Sequence, residues 1–73
     1  MIEQIKAAVH HAEARNQKTA MFHYQVLTHA DELEGIDALG FCKEISMPKS
    51  YAIEFRKMLA LAKLMKEQGT KLT

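Results

Sequence analysis

The stretch CKEISMPKSYAIEFRKM, residues 42–58, has the pattern of two helices joined by a tight turn. The first helix ends at ISMP, and Pro48 suits the start of the next helix because the amide hydrogen that it lacks would be unpaired there. Cys42 takes the small position that such a motif needs on its first helix. Ser46 stands where these turns most often carry glycine, so we expect a strained serine there. The stretch predicts a helix-turn-helix.

The rest of the chain extends this motif to an all-α fold of about four helices in a single domain, residues 1–73. Asn16, Gly35 and Gly69 are placed to end helices in the left-handed conformation, and Asp37 is a good N-cap. The expected helices are residues 2–14, 18–33, 37–45 and 49–68. Residues 1–15 form the N-terminal helix of the domain, and residues 69–73 are expected to fray.

The second predicted helix carries a wide apolar band, which is typical of a central helix packed on two sides. Phe22, Val26 and Leu33 form one stripe together with Ala30. Three further apolar residues adjoin that stripe and are expected to widen it: Ala20, Tyr24 and Leu27.

Composition favours a small soluble domain. Hydrophobic residues make up 48% of the 73 residues and charged residues 26%. No apolar run approaches the roughly 20 residues that cross a bilayer, no signal peptide is visible, and the single cysteine cannot form an internal disulfide. These features favour the cytoplasm. Although the net charge is only +1, residues 37–73 are the more basic half.

Three segments of the chain resemble a family of small bacterial helix-turn-helix-like domain proteins. They are SYAIEFRKMLALAK (residues 50–63), GFCKEISMP (residues 40–48) and AMFHYQVLTHADEL (residues 20–33), within a likeness that runs over about residues 18–66. The resemblance implies a compact helical fold with a helix-turn-helix core, and it implies little about activity.

If the last helix lies in a major groove, its first turns must present side chains to base edges. Lysine can contact phosphate or guanine, serine phosphate or base, and isoleucine a thymine methyl group. Glu54 is less suited to this surface, and an intrahelical pair with Lys57 is its ordinary role. The predicted groove-facing residues are Lys49, Ser50, Ile53 and Lys57, with Arg56 and Lys43 on phosphates.

A second apolar stripe on the last helix consists of Ile53, Leu61 and Leu64, with Lys57 among them. The first helix of the same chain is one possible cover for this stripe. A homodimer interface or the docking surface of another protein is the alternative, because contiguous exposed apolar area usually marks an interface. We favour self-association, which would also supply paired recognition helices for a palindromic site.

The remaining reactive side chains do not suggest catalysis or metal binding. His10 and His11 point about 100° apart on a helix, and His23 lies within an apolar band, as a buried, hydrogen-bonded histidine would. Cys42 reads as a small core residue. We therefore expect no enzyme, no cofactor and no metal site.

Two hypotheses follow from these observations. The first is a small DNA-binding regulator of transcription that acts as a dimer. The second is a protein-interaction module that retains the helix-turn-helix geometry without binding DNA. Glu54 on the reading face, the stripe of Ile53, Leu61 and Leu64, and the low net charge favour the second.

Overall fold

A computed structural model describes residues 1–70, which form five helices and no strand. The helices are α1 (Ile2–Glu13), α2 (Lys18–Thr28), α3 (Ala30–Leu33), α4 (Ala38–Glu44) and α5 (Tyr51–Glu67). The predicted all-α fold with a long C-terminal helix is confirmed. Of the tail that was expected to fray, residues 71–73 lie outside the described residues.

The second predicted helix is divided into two, which corrects the expected number of helices. His29 leaves the helical conformation (φ −106°, ψ 19°) and separates α2 from α3. The Thr28 hydroxyl donates to the Gln25 carbonyl (3.1 Å) just before the break, and such side-chain bonds compete with the helical ladder. The His29 carbonyl accepts from the amides of Glu32 and Leu33, both at 3.0 Å, and so begins α3.

The helix ends follow the local signals in the sequence. Asn16 (φ 56°), Ser46 (φ 58°), Gly35 (φ 86°) and Gly69 (φ 77°) all have the left-handed conformation. At Asn16 the amide of the next residue, Gln17, reaches back to the Ala12 carbonyl at 3.0 Å, the bond of a Schellman motif. The predicted stops at residues 16, 35 and 69 are therefore confirmed.

The beginnings of α4 and α5 differ in how well the sequence predicts them. The Asp37 carboxylate accepts from the Gly40 amide at 2.7 Å, so the predicted N-cap is confirmed. α5 begins at Tyr51 rather than at residue 49. The Tyr51 and Ala52 amides bond to the carbonyls of Pro48 and Lys49, three residues earlier, both at 3.0 Å. Residues 48–50 therefore form a tight turn that leads into the helix.

The core lies between α2, α4 and α5. Rings from these helices pack against each other, with centroids 6.2 Å apart for Phe22 and Phe41 and 4.8 Å apart for Phe41 and Phe55. α1 packs on α2. The fully buried apolar side chains of the core include Ile5, Val9, Phe22, Val26, Leu33, Cys42 and Ile45.

The apolar band of α2 is narrower than expected. Tyr24 is 49% exposed and Ala20 is also exposed, so neither belongs to the core. Leu27 is half-buried. α2 is still the central helix, because α1 and α5 both pack on it, but its neighbours leave the side that carries Ala20 and Tyr24 open to solvent.

Candidate nucleic-acid interface

The turn between α4 and α5 is closed by hydrogen bonds within the motif. The Met47 amide donates to the Cys42 carbonyl at 2.8 Å, and the Ser46 amide donates to the Lys43 carbonyl at 3.1 Å. These are the two bonds of a Schellman motif, with Ser46 at the position that glycine usually takes. Met47 is buried, so the turn is also held by packing. The predicted serine in the left-handed conformation is confirmed.

A histidine from α1 supports the same turn. The Nε2–H of His10 donates to the Ile45 carbonyl at 2.7 Å, and Ile45 follows the last residue of α4. The bond satisfies a carbonyl that the end of a helix leaves without a partner in the helix. This contact was not predicted from the sequence, where His10 was considered only as a metal ligand. Its position directly after the buried Val9 was the available signal.

The start of α5 is fixed by contacts with α2. Ala52 and Phe55 are buried, as predicted for the residues that hold the second helix of the motif. The Tyr51 hydroxyl and the Thr19 hydroxyl share a hydrogen bond of 2.6 Å, and the Tyr51 ring packs edge-on against Phe22, with centroids 5.1 Å apart. These contacts set the rotation of α5 and so decide which of its side chains face solvent.

All of the predicted DNA-contacting side chains lie on the surface, and the two cations of the set that belong to α5 lie on different sides of that helix. Arg56 lies toward α4, close enough for its charge to act on the buried Cys42 thiol. Lys57 lies about 100° further around the helix, on the side of Glu54. The exposed residues of the predicted set are Lys43, Lys49, Ser50, Ile53, Arg56 and Lys57.

Glu54 connects α5 to α2 and compensates one of the predicted cations. Its Oε2 lies 3.7 Å from the Lys57 Nζ, so the predicted intrahelical pair is confirmed. Its Oε1 accepts from the His23 Nε2 at 2.9 Å. His23 is therefore hydrogen-bonded as expected, but half-buried instead of buried.

The other cations of the predicted set have no such partner. Lys43, Lys49 and Arg56 form no ion pair within 4.0 Å to any of the residues 1–70. All three are exposed, and with the exposed Glu44 next to Lys43 they leave an excess of positive charge at the corner between α4 and α5.

Cys42 is a small core residue, as predicted. Its side chain is fully buried, and this burial raises the pKa of the thiol, while the charge of Arg56 acts in the opposite direction. A raised pKa keeps the thiolate scarce near neutral pH, and the thiolate is the reactive form. Cys42 is therefore a core residue of the motif.

The second stripe on α5 is open to solvent. Ile53 is 56% exposed, Leu61 39% and Leu64 51%. α1 packs on α2 and leaves these three side chains uncovered, so the possibility that α1 of the same chain covers them is wrong.

Other surfaces of residues 1–70 are less distinctive. A groove of about 600 Å³ runs between α3 and the second half of α5, lined in part by Asp31, Glu34, Leu59 and Lys63. No group of three His, Cys, Asp or Glu side chains among the described residues is arranged to hold a metal ion. None of the helices described has both the length and the apolar character needed to cross a membrane.

Comparison with known protein families gives a match over most of the chain. The family described as an HTH-like domain matches residues 1–68. This confirms the resemblance that the three segments indicate and covers nearly the whole chain. No curated protein and no solved structure gives a significant match.

Proposed function

The chain belongs to the HTH-like domain family, and we propose that it is a small DNA-binding protein that regulates transcription in the cytoplasm as a dimer. The observation that carries this proposal is the positive corner between α4 and α5. Lys43, Lys49 and Arg56 are exposed there, beside a turn that hydrogen bonds and packing hold in place. Exposed cations without an ion-pair partner, carried by a turn that is held in place, are suited to the backbone of a duplex.

Affinity would come mainly from the phosphates. Each phosphate neutralised by Lys43, Lys49 or Arg56 releases condensed counterions, so binding falls as salt rises, with a slope of about 0.9 in the double logarithmic plot for each contact.

Sequence preference would come from Ser50, Ile53 and Lys57. They are exposed near the start of α5, the part of a recognition helix that meets base edges. Lys57 is held by Glu54 at 3.7 Å, and an exposed pair of this kind contributes only about 0.3–0.5 kcal/mol. Lys57 can therefore exchange this partner for another at little cost.

A second candidate function is protein interaction through α5. The observation that favours it is the exposure of Ile53, Leu61 and Leu64 on one helix. In this case Ile53→Asp would abolish partner binding, and charge changes at Lys49 would have little effect. A partner or dimer that survived both Ile53→Asp and Leu61→Asp would contradict it.

The proposed function is tested by fluorescence anisotropy of a labelled mixed-sequence duplex across a series of salt concentrations. We expect the double variant Lys49→Ala, Arg56→Ala to bind at least about tenfold more weakly at low salt and to flatten the salt dependence by about 0.9 for each lost phosphate contact.

Arg15→Ala is the matched control, since Arg15 is an exposed arginine in the turn that follows α1, outside the proposed surface. Equal binding by the wild type and the double variant would contradict the proposal, and so would a loss of equal size in Arg15→Ala.

A further inference from the structure

The second half of α5 carries an exposed surface that we call the outer face: Lys57, Ala60, Leu61, Leu64 and Glu67. All five residues are exposed, and Leu64 at its centre is 51% exposed. They fall within about 120° of the helix circumference. An apolar centre with a charged residue at each end has the composition of a helix-pairing surface.

We propose that the outer face binds the outer face of a second copy of this chain, with the two α5 helices antiparallel and related by a two-fold axis level with Ala62. In this arrangement Leu64 of each copy packs over Ala60 of the other. Lys57 of each copy pairs with Glu67 of the other. The proposal rests on the proposed function, because it names the partner in the dimer that would bind DNA.

The spacing of the outer face is what a two-fold axis requires. Residues 57, 60, 64 and 67 are separated by 3, 4 and 3 positions, and this spacing is the same in both directions along the helix. In a two-fold interface the same patch must complement itself, so that each residue meets its counterpart across the axis. A large side chain then faces a small one, and a base faces an acid.

The charges select the antiparallel arrangement over the parallel one. In a parallel pair Lys57 would meet Lys57, and Glu67 would meet Glu67, because equivalent positions lie side by side. Like charges across an interface are strongly unfavourable. Antiparallel pairing turns the same four side chains into two opposite-charge contacts. A surface that complements itself in this way favours a second copy over an unrelated protein.

The distance between the two copies of Ser50 in this pair suits a DNA duplex. Ser50 lies 12 positions before residue 62, which is about 18 Å along a helix, so the two copies of Ser50 are about 36 Å apart along the helix direction. Half-sites one turn of DNA apart are separated by about 34–36 Å.

The pair leaves the proposed DNA contacts open except at Lys57, which would be engaged by Glu67 of the other copy. In the dimer, sequence preference would therefore come from Ser50 and Ile53. Arg56 lies about 80° around the helix from Leu64. Ile53 precedes Lys57 by about one helical turn and so lies outside the segment, residues 57–67, along which the two copies pair. Leu61 and Leu64 would thus serve the dimer, and Ile53 would be left for the groove.

Sedimentation equilibrium of the full chain without DNA tests the register. We expect a concentration-dependent dimer. Lys57→Glu alone and Glu67→Lys alone should each raise the dimer dissociation constant at least about tenfold, because each places like charges together twice. The double variant Lys57→Glu, Glu67→Lys should restore dimerisation. Both positions are exposed, so these variants should fold, as far-ultraviolet circular dichroism would check.

A matched pair of apolar variants tests the surface itself. Leu64→Asp should leave a monomer, and Leu39→Asp should leave the dimer intact, since Leu39 on α4 is exposed to the same 51%. A wild type that stays monomeric at millimolar concentration, a dimer that survives Leu64→Asp, or a charge swap that fails to restore dimerisation would overturn the proposal. Because DNA is absent, a failure here leaves the anisotropy result on Lys49 and Arg56 standing.

Discussion

At the scale of single residues, Ser46 decides the geometry of the motif. It holds a left-handed conformation (φ 58°) that costs an L-residue about 1–2 kcal/mol. We expect Ser46→Gly to raise the free energy of unfolding by about 1 kcal/mol, because glycine adopts this conformation without a steric penalty. Urea denaturation measures the difference.

Ser50→Gly is the control for that substitution. Ser50 has an ordinary helical conformation (φ −59°, ψ −23°), so glycine there has no strain to relieve and should leave stability the same or lower it slightly. If both glycine variants changed stability alike, the strain assigned to Ser46 would be wrong.

Predictions from the sequence succeeded where the signal was local. Asn16, Asp37 and Ser46 each act through their own backbone or through the next turn of chain, so their residue types were informative. The contact of His10 with Ile45 and that of His23 with Glu54 each join residues more than 30 positions apart. Local sequence patterns do not predict contacts between residues so far apart in the chain.

At the scale of helices, the sequence identified the apolar stripes better than it identified which helices pack against them. Phe22 and Val26 are buried as predicted, whereas Tyr24 is exposed, since the width of an apolar band depends on where other helices pack. The same limit applies to α1. The helix itself was predicted from the sequence, but its docking on α2 instead of on α5 follows from tertiary packing alone.

Docking of α1 leads to a prediction about His10. We expect His10→Ala to lower the free energy of unfolding by about 1–2 kcal/mol, because it leaves the Ile45 carbonyl without its partner. His11→Ala is the matched control: His11 is adjacent and exposed, so its loss should stay within about 0.5 kcal/mol. Thermal or urea unfolding of the two variants compares them. Equal losses would show that α1 does not support the turn through His10.

At the scale of the whole molecule, α5 and the turn before it carry two distinct surfaces. The corner carries Lys43, Lys49 and Arg56, none of which forms an ion pair with any of the residues 1–70. The outer face carries apolar side chains flanked by opposite charges. The sequence predicted the cations of the corner and the apolar residues Leu61 and Leu64, but not Ala60 or Glu67, and its two sets overlapped at Ile53 and Lys57. The rotation of α5, fixed by Tyr51, Ala52 and Phe55, separates them, and that rotation is a property of the packed core.

The most direct test of the central claim is an amide NMR titration of the labelled protein with mixed-sequence duplex DNA, at low and near-physiological salt. We predict chemical shift changes centred on residues 43–57 that fade as salt rises, since counterion release dominates the affinity. The absence of any change at low salt would contradict DNA binding and would leave protein interaction through α5 as the candidate function. Line broadening at Leu61 and Leu64 is expected from the proposed dimer in either case.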